Sequence, residues 1–507
     1  MIRFTTFAMR QRLPALFVLF ALACAGCAST ATLDSEEGEP FAIADAAPAP
    51  EEAPAPVKAP AAEEEQATEP EQATEPEVPL AVAESEHPEE PGAAEELAEV
   101  VVTAISRQKL IHNLVAEAQS LLRDVQLSYV FTGKGRSEVL RGRPVAFALW
   151  SEAKMEWTVA QVEIPRPPVK WKPGGKPLPF VVTTPGIVAT HVKGTGAERL
   201  MFSFTKDGEQ LKVYGRKFPV FDESLLKKKL WHAAVETAKP IVYLPFTEDT
   251  FDPAFVEAGK QYLLATARQA VQDLRQARAP SLAYPGESLA DIVPPEVITT
   301  LAVIEQTDDA DFAQKGEDAF DEVLSQYGLK RGEAYRYSVS RASAIGPMQF
   351  TNRRGHGTYA MVVRQCPAAK LNPDFELGAT DLLNSMKAAI CLFDLDLADM
   401  PTDIRSAYRD NMPVLGIFPV AAYNGGGRNV KKLQKVMKKA NVKLEELGSV
   451  GEDPDDRPVT CPCLWKKVEA ETVPVSLPKY NNENRWYIEK YQRILGVFEE
   501  KPDAEGG

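Results

Sequence analysis

The sequence predicts an α+β protein, with a β-rich region over about residues 101–290 followed by a mainly α-helical domain over 291–507. Three observations carry this. VAFALW, EWTVAQVEI and FVVTTPGIVATHV alternate apolar and polar residues or run apolar over strand lengths. RLMFSFTKDGEQLKVYG sets Asp207-Gly208 between two such runs, and that dipeptide takes positive φ at little cost, so a hairpin turns there. Beyond Pro294, apolar residues recur three and four apart, the spacing of helices with a buried face.

The remaining elements follow in order. ISRQKLIHNLVAEAQSLLRDV, ahead of the strands, has the pattern of an amphipathic helix. Residues 224–239 and 252–279 return to helical spacing, and Pro280 stops the second stretch. Residues 101–290 contain no constellation of catalytic groups, so they are read as an accessory domain.

The net charge of −15 is unevenly placed. Between residues 31 and 100 there are 21 acidic side chains against Lys58 alone, whereas 101–507 carry 53 basic and 51 acidic ones. The acidity belongs to a stretch of Ala, Pro and Glu in which EQATEP repeats at 65–70 and 71–76. Such a stretch cannot bury enough apolar surface to offset its chain entropy, so residues 28–100 are expected to be a disordered tether. A flexible coil of that length spans about 50 Å end to end, and its prolines and like charges extend it further.

Residues 1–27 read as an export signal. Arg3, Arg10 and Arg12 precede LPALFVLFALACAGC, an apolar core too short to span a bilayer comfortably that ends in small residues and cysteine. It resembles a bacterial lipoprotein signal, which implies lipidation of Cys27, with Cys24 the runner-up. Alanine follows either cysteine, and by that resemblance the anchor belongs on the periplasmic face of the outer membrane.

The chemistry centres on Glu305. Pro294-Pro295-Glu296 suits a helix start, with proline in the first turn and an acid near the positive helix end. On that helix Glu305 shares a face with Ile298, Leu301 and Ala302. An ionised glutamate is costly on an apolar face, so the expected response is a raised pKa and a group able to donate a proton. The alternative is a partly solvated residue at a helix end.

Two later stretches bear on that choice. SRASAIGPMQF at 340–350 packs small residues around a loop and then presents Met348 and Gln349. VAAYNGGGRNV at 420–430 sets Tyr423 and Asn424 just before three glycines, where a helix stops. Each alone is a turn or a helix cap. In this order after Glu305 they resemble the catalytic domain of the soluble lytic transglycosylase family, which has a lysozyme-like fold. The family's catalytic glutamate falls on Glu305, and its S-x-x-G-A-x-G-L-M-Q loop on Ser340, Ser343, Ala344, Gly346, Met348 and Gln349. Its A-A-Y-N-A-G element falls on Ala421 to Gly426, and its E-T-x-x-Y element on Glu483 and Tyr487 in ENRWYIEKY. LNPDFELGATDLLNSMKAAICLF is similar to the family's intervening helix through Pro373 and Gly378.

The departures are informative. Gln306 stands where the family has serine, and Ser343 where it has glycine. An insert, DDADFAQKGEDAFDEVLSQYGLKRGEAYRY, separates Glu305 from the loop; it carries a helix pattern at 317–327 and is read as a lid over the groove or a surface excursion.

The resemblance implies a murein lytic transglycosylase that needs no cofactor or metal. Glu305 protonates the β-1,4 glycosidic oxygen between N-acetylmuramic acid and N-acetylglucosamine, then accepts the 6-hydroxyl proton, leaving a 1,6-anhydro end. Gln349 and Asn424 are expected to orient the acetamide and sugar hydroxyls, Tyr423 and Ser340 to hold Glu305 or the acetamide, and Glu483 to be structural. The implied partners are peptidoglycan strands and a membrane through the lipid anchor. Nucleic acid makes no sense as a partner for an exported protein, and residues 101–290 leave glycan, peptide or cell-wall protein contacts open. A muramidase of goose-lysozyme type, and a silent wall-binding scaffold, are the alternatives.

Four cysteines remain: Cys366, Cys391, Cys461 and Cys463. Export makes disulfides reasonable, and three pairings exist. A Cys461–Cys463 bridge is cramped, so Cys366 and Cys391 are expected to meet each other or the CPC stretch. With five histidines, and His356 alone in the catalytic stretch, zinc is not expected.

Overall fold

The computed structural model describes residues 93–165, 178–194, 200–244, 246–340, 343–352, 357–448, 463–468, 471–477 and 482–498. The signal, Cys27 and the tether up to residue 92 lie outside them, as do the side chains of Cys461, Cys463 and Glu483. The protein mixes helix and strand, as the α+β reading requires.

Helix α1 (Ala93–Asp124) begins inside the stretch assigned to the tether. A short ribbon of β1 (Phe131–Thr132) and β2 (Val139–Leu140) leads into β3 (Arg143–Ser151), β4 (Glu156–Ile164), β5 (Val181–Val182), β6 (Ile187–Lys193), β7 (Met201–Lys206) and β8 (Glu209–Val220). Residues 224–239 do not form one helix. They give α2 (Glu223–Lys227) and α3 (Trp231–Glu236), broken where Lys229 takes a φ of 59°, before β9 (Lys239–Tyr243).

These strands form one antiparallel sheet in the order β5-β4-β3-β8-β7-β6, with β9 on the far half of β8. Lys206 pairs with Glu209 across the predicted turn, where Asp207 and Gly208 both have positive φ. Every residue of β3 is buried because both faces of the sheet are covered. Val145, Phe147 and Leu149 pack inward against Phe202 and Phe204, while Ala146, Ala148 and Trp150 meet Leu114, Ala118 and Leu122 of α1.

The helical part follows: α4 (Pro253–Gln276), α5 (Pro295–Ile304), α6 (Asp309–Lys315), α7 (Asp318–Lys330), α8 (Thr358–Gln365), α9 (Phe375–Thr380) and α10 (Leu382–Ala398). Then come α11 (Thr402–Tyr408), α12 (Met412–Leu415), α13 (Ile417–Gly425) and α14 (Gly427–Lys439), the hairpin β10 (Cys463–Val468) and β11 (Glu471–Ser476), and α15 (Asn482–Phe498). One apolar core runs through these helices and takes in Leu263, Ala267 and Leu274 of α4, which the sequence places before the boundary at 290. Cys366 and Cys391 form a disulfide that joins the end of α8 to α10. No helix among the described residues is long and apolar enough to cross a membrane.

The helical part of the insert after Glu305 is not a surface excursion. Its helix α7 is buried from Val323 to Leu329 and lies against α4 at backbone contact distance. A Cβ on Gly259 would meet the Leu324 carbonyl oxygen at 2.0 Å, and one on Gly328 would meet that of Phe255 at 1.9 Å. Paired glycines thus set how closely the two helices approach. Helix α5 sits in the same core with every residue from Val297 to Ile304 buried, so the greasy side read from its sequence is the whole helix.

Candidate active site around Glu305

Glu305 caps the C-terminus of α5, donating its backbone N–H to the Leu301 carbonyl at 3.0 Å. It is half-buried, at the point where the helix leaves the core. Helix α15 holds this end. Its Tyr487 hydroxyl donates a hydrogen bond to Glu305 Oε1. One turn on, the buried Lys490 Nζ donates to the Thr307 carbonyl at 2.8 Å, the Ile304 carbonyl at 3.4 Å and Asp309 Oδ1 at 2.9 Å. A cation is favourable there because the last carbonyls of α5 carry the negative end of its dipole.

The loop expected to face Glu305 is tied to the residue beside it. Gln306 Nε2 donates to the Gly346 and Pro347 carbonyls at 3.1 and 2.8 Å, and its Oε1 accepts from Ser338 Oγ at 2.9 Å. Gln349 Nε2 donates to Ser338 Oγ at 3.2 Å and to the Gly346 carbonyl at 2.8 Å. Both amide hydrogens of Gln349 are therefore committed to the loop, and its oxygen is the atom with capacity for a ligand. Gly346 has a φ of 77°, and a Cβ there would meet the Ala379 carbonyl oxygen at 1.9 Å, so glycine alone lets the loop lean on the end of α9.

Tyr423, on the last turn of α13, closes the arrangement by donating to the Met348 carbonyl at 2.7 Å. Burial, then the charges of Glu305 and Asp396, hold its phenol well above the usual tyrosine range. Burial, then Glu305, do the same for Tyr487. Both phenols therefore stay protonated and act as donors throughout the ordinary pH range. Asn424 follows at the helix end, half-buried, with no partner for its amide among the described residues. The third and fourth motifs are joined directly: Asn429 Nδ2 donates to Asn484 Oδ1 at 2.7 Å, in space that a Cβ on Gly425 would fill.

Among the sequence candidates, Glu305, Gly346, Gln349, Tyr423 and Tyr487 thus belong to one bonded arrangement. Met348 joins it through its carbonyl, while its side chain is fully buried in the core. Ser340 and Ser343 are exposed beyond Ser338, and Ser340 Oγ accepts from the Ala344 N–H at 3.1 Å, a turn-building role. Sequence reasoning missed Gln306, Ser338 and Lys490. Gln306 stood out only as a departure from serine, and Ser338 and Lys490 carried no local signal. A separate groove of about 790 Å³, lined by Arg268, Arg275, Pro294 and Met412, opens near the other end of α5 and includes none of these residues.

Comparison with protein-family models, curated proteins and solved structures finds no match to this chain.

Proposed function

We propose that the protein is a lipid-anchored murein lytic transglycosylase with a lysozyme-like catalytic domain and Glu305 as its single acid and base. The observation that carries this reading is the set of bonds linking the four motif segments: Tyr487 to Glu305, Gln306 to the 346–347 carbonyls, and Tyr423 to Met348. Unrelated turns and caps have no reason to be bonded into one arrangement beside a helix-end carboxylate.

In the proposed reaction Tyr487 holds Oε1, and the proton travels on the other carboxyl oxygen. Glu305 donates it to the glycosidic oxygen as the C1–O bond breaks, and the muramyl acetamide oxygen stabilises the cationic C1. The 6-hydroxyl of the same sugar then attacks C1, and the carboxylate takes its proton, which restores the acid. No water is consumed. Asn424 and the Gln349 oxygen are the polar groups assigned to the acetamide and sugar hydroxyls. Residues 28–92, with lipid on Cys27, would let this domain work at a distance from the outer membrane.

The test is incubation of the purified soluble fragment with sacculi, followed by mass spectrometry of the released muropeptides. Anhydro ends are the expected product. Reducing ends would instead assign the site to a hydrolase, and absence of any release would assign it to a scaffold.

A further inference from the structure

Helix α14 begins three residues after Asn424 and carries an unusual exposed face. Arg428, Lys431, Lys432, Lys435, Lys438 and Lys439 are all exposed, while Val430, Leu433, Val436 and Met437 are buried. Intervals of three, four and seven place the six cations on one stripe about 16 Å long. The helix contains no acidic residue, and among the described residues none of the six cations has an ion-pair partner. Some other surface cations are paired, as Arg275 is with Asp291 and Lys466 with Glu446, whereas others are not; what sets α14 apart is that six lie on one face.

The helix dipole favours Lys438 and Lys439 in the last turn, but not the rest of the stripe: like charges three and four apart on a helix repel, and Arg428 sits in the first turn, at the positive end of the dipole. Residues 101–507 are close to neutral as a whole, so this is a local concentration of charge starting at the rim of the candidate active site.

We propose that the exposed face of α14 is a docking track for a carboxylate-bearing polymer, namely the peptide-substituted glycan strand cut at Glu305. The proposal rests on the catalytic reading above and names what that site holds beyond the scissile bond. Charge complementarity and continuity with the Asn424 rim argue for it. A membrane surface is the less suited occupant, because none of the exposed large apolar side chains lies on α14 to enter a bilayer.

The experiment measures co-sedimentation with sacculi in the Glu305→Gln background, so that the polymer stays intact. One variant adds Lys→Gln at 431, 432, 435, 438 and 439; a second adds Lys→Arg at the same positions. Expected results are a loss of affinity of at least about tenfold for the glutamine variant, retention in the arginine variant, and weakening of the parent by salt and by amidation of the sacculus carboxylates. Equal binding by the parent and the glutamine variant, both with unchanged circular dichroism, would overturn the proposal. So would a loss confined to phosphatidylglycerol vesicles, which would assign the face to a membrane. Failure of the catalytic reading is seen separately, as absence of anhydro product from the chain with Glu305 intact.

Discussion

Tyr487 and Glu305, 182 positions apart in sequence, are joined by a hydrogen bond from the phenol to the carboxylate. Removing that donor leaves the acid at the end of α5 with one orienting contact fewer. Tyr487→Phe is expected to lower kcat about tenfold to a hundredfold, the equivalent of one hydrogen bond to a charged group, with a small change in KM. Steady-state release of muropeptides reads this, and wild-type kcat in a folded Tyr487→Phe protein would remove Tyr487 from the site.

Lys490 binds the Ile304 and Thr307 carbonyls and Asp309 from inside the core. Lys490→Met removes the buried donor to the Thr307 carbonyl and the cation at the end of α5, and is expected to destabilise the protein by about 3 kcal/mol. Asp309, 40% exposed, is a weaker partner, and Asp309→Asn should cost less than about 1 kcal/mol. Urea titration of both variants compares them; equal losses would mean that the ion pair, rather than the helix-end carbonyls, holds Lys490.

Gly259 and Gly328 oppose helix propensity for the sake of packing. Alanine in a helix is favoured over glycine by about 1 kcal/mol, yet here each added methyl would strike a carbonyl of the facing helix. Either Gly→Ala change is therefore expected to lower stability by about 2 kcal/mol or more. A rise in melting temperature would show that α4 and α7 are not held this closely.

Asp396 is the second acid electrostatically coupled to Tyr423. Its Oδ2 is buried without a hydrogen-bond partner among the described residues, and burial, then Asp399, push its carboxyl up to about 7. The folded protein therefore holds this proton more tightly than the unfolded chain does, so stability falls as pH rises from about 4 to about 7. Asp396→Asn should stabilise by about 4 kcal/mol at pH 8 and by little at pH 4. A pH-independent difference between the two proteins would contradict this.

The parts of the fold legible in the sequence were those with a local cause. The Asp207-Gly208 turn, the Pro295 helix start and the glycine stop after Asn424 are each set by residues within a few positions. The insert was misread because the fate of α7 depends on Gly259, about sixty residues earlier, and a glycine inside a helix registers locally only as a cost. The helical spacing over 224–239 is interrupted at Lys229, which takes positive φ, and no Gly or Pro marks that break in the sequence. At the site, the motif residues were legible, but the means of holding them were not. Gln306, Ser338 and Lys490 act through backbone carbonyls, which any sequence supplies, so only the fold shows which ones they reach.

The most direct test of the central claim is the yield of 1,6-anhydromuramyl products from sacculi treated with the wild-type protein and with Glu305→Gln, both verified as folded by circular dichroism. The account predicts anhydro products from the wild type and a loss of at least about a thousandfold in the variant, which can neither give nor take the proton. Anhydro products formed at the same rate by both would contradict it, because the chemistry would then reside in some other group.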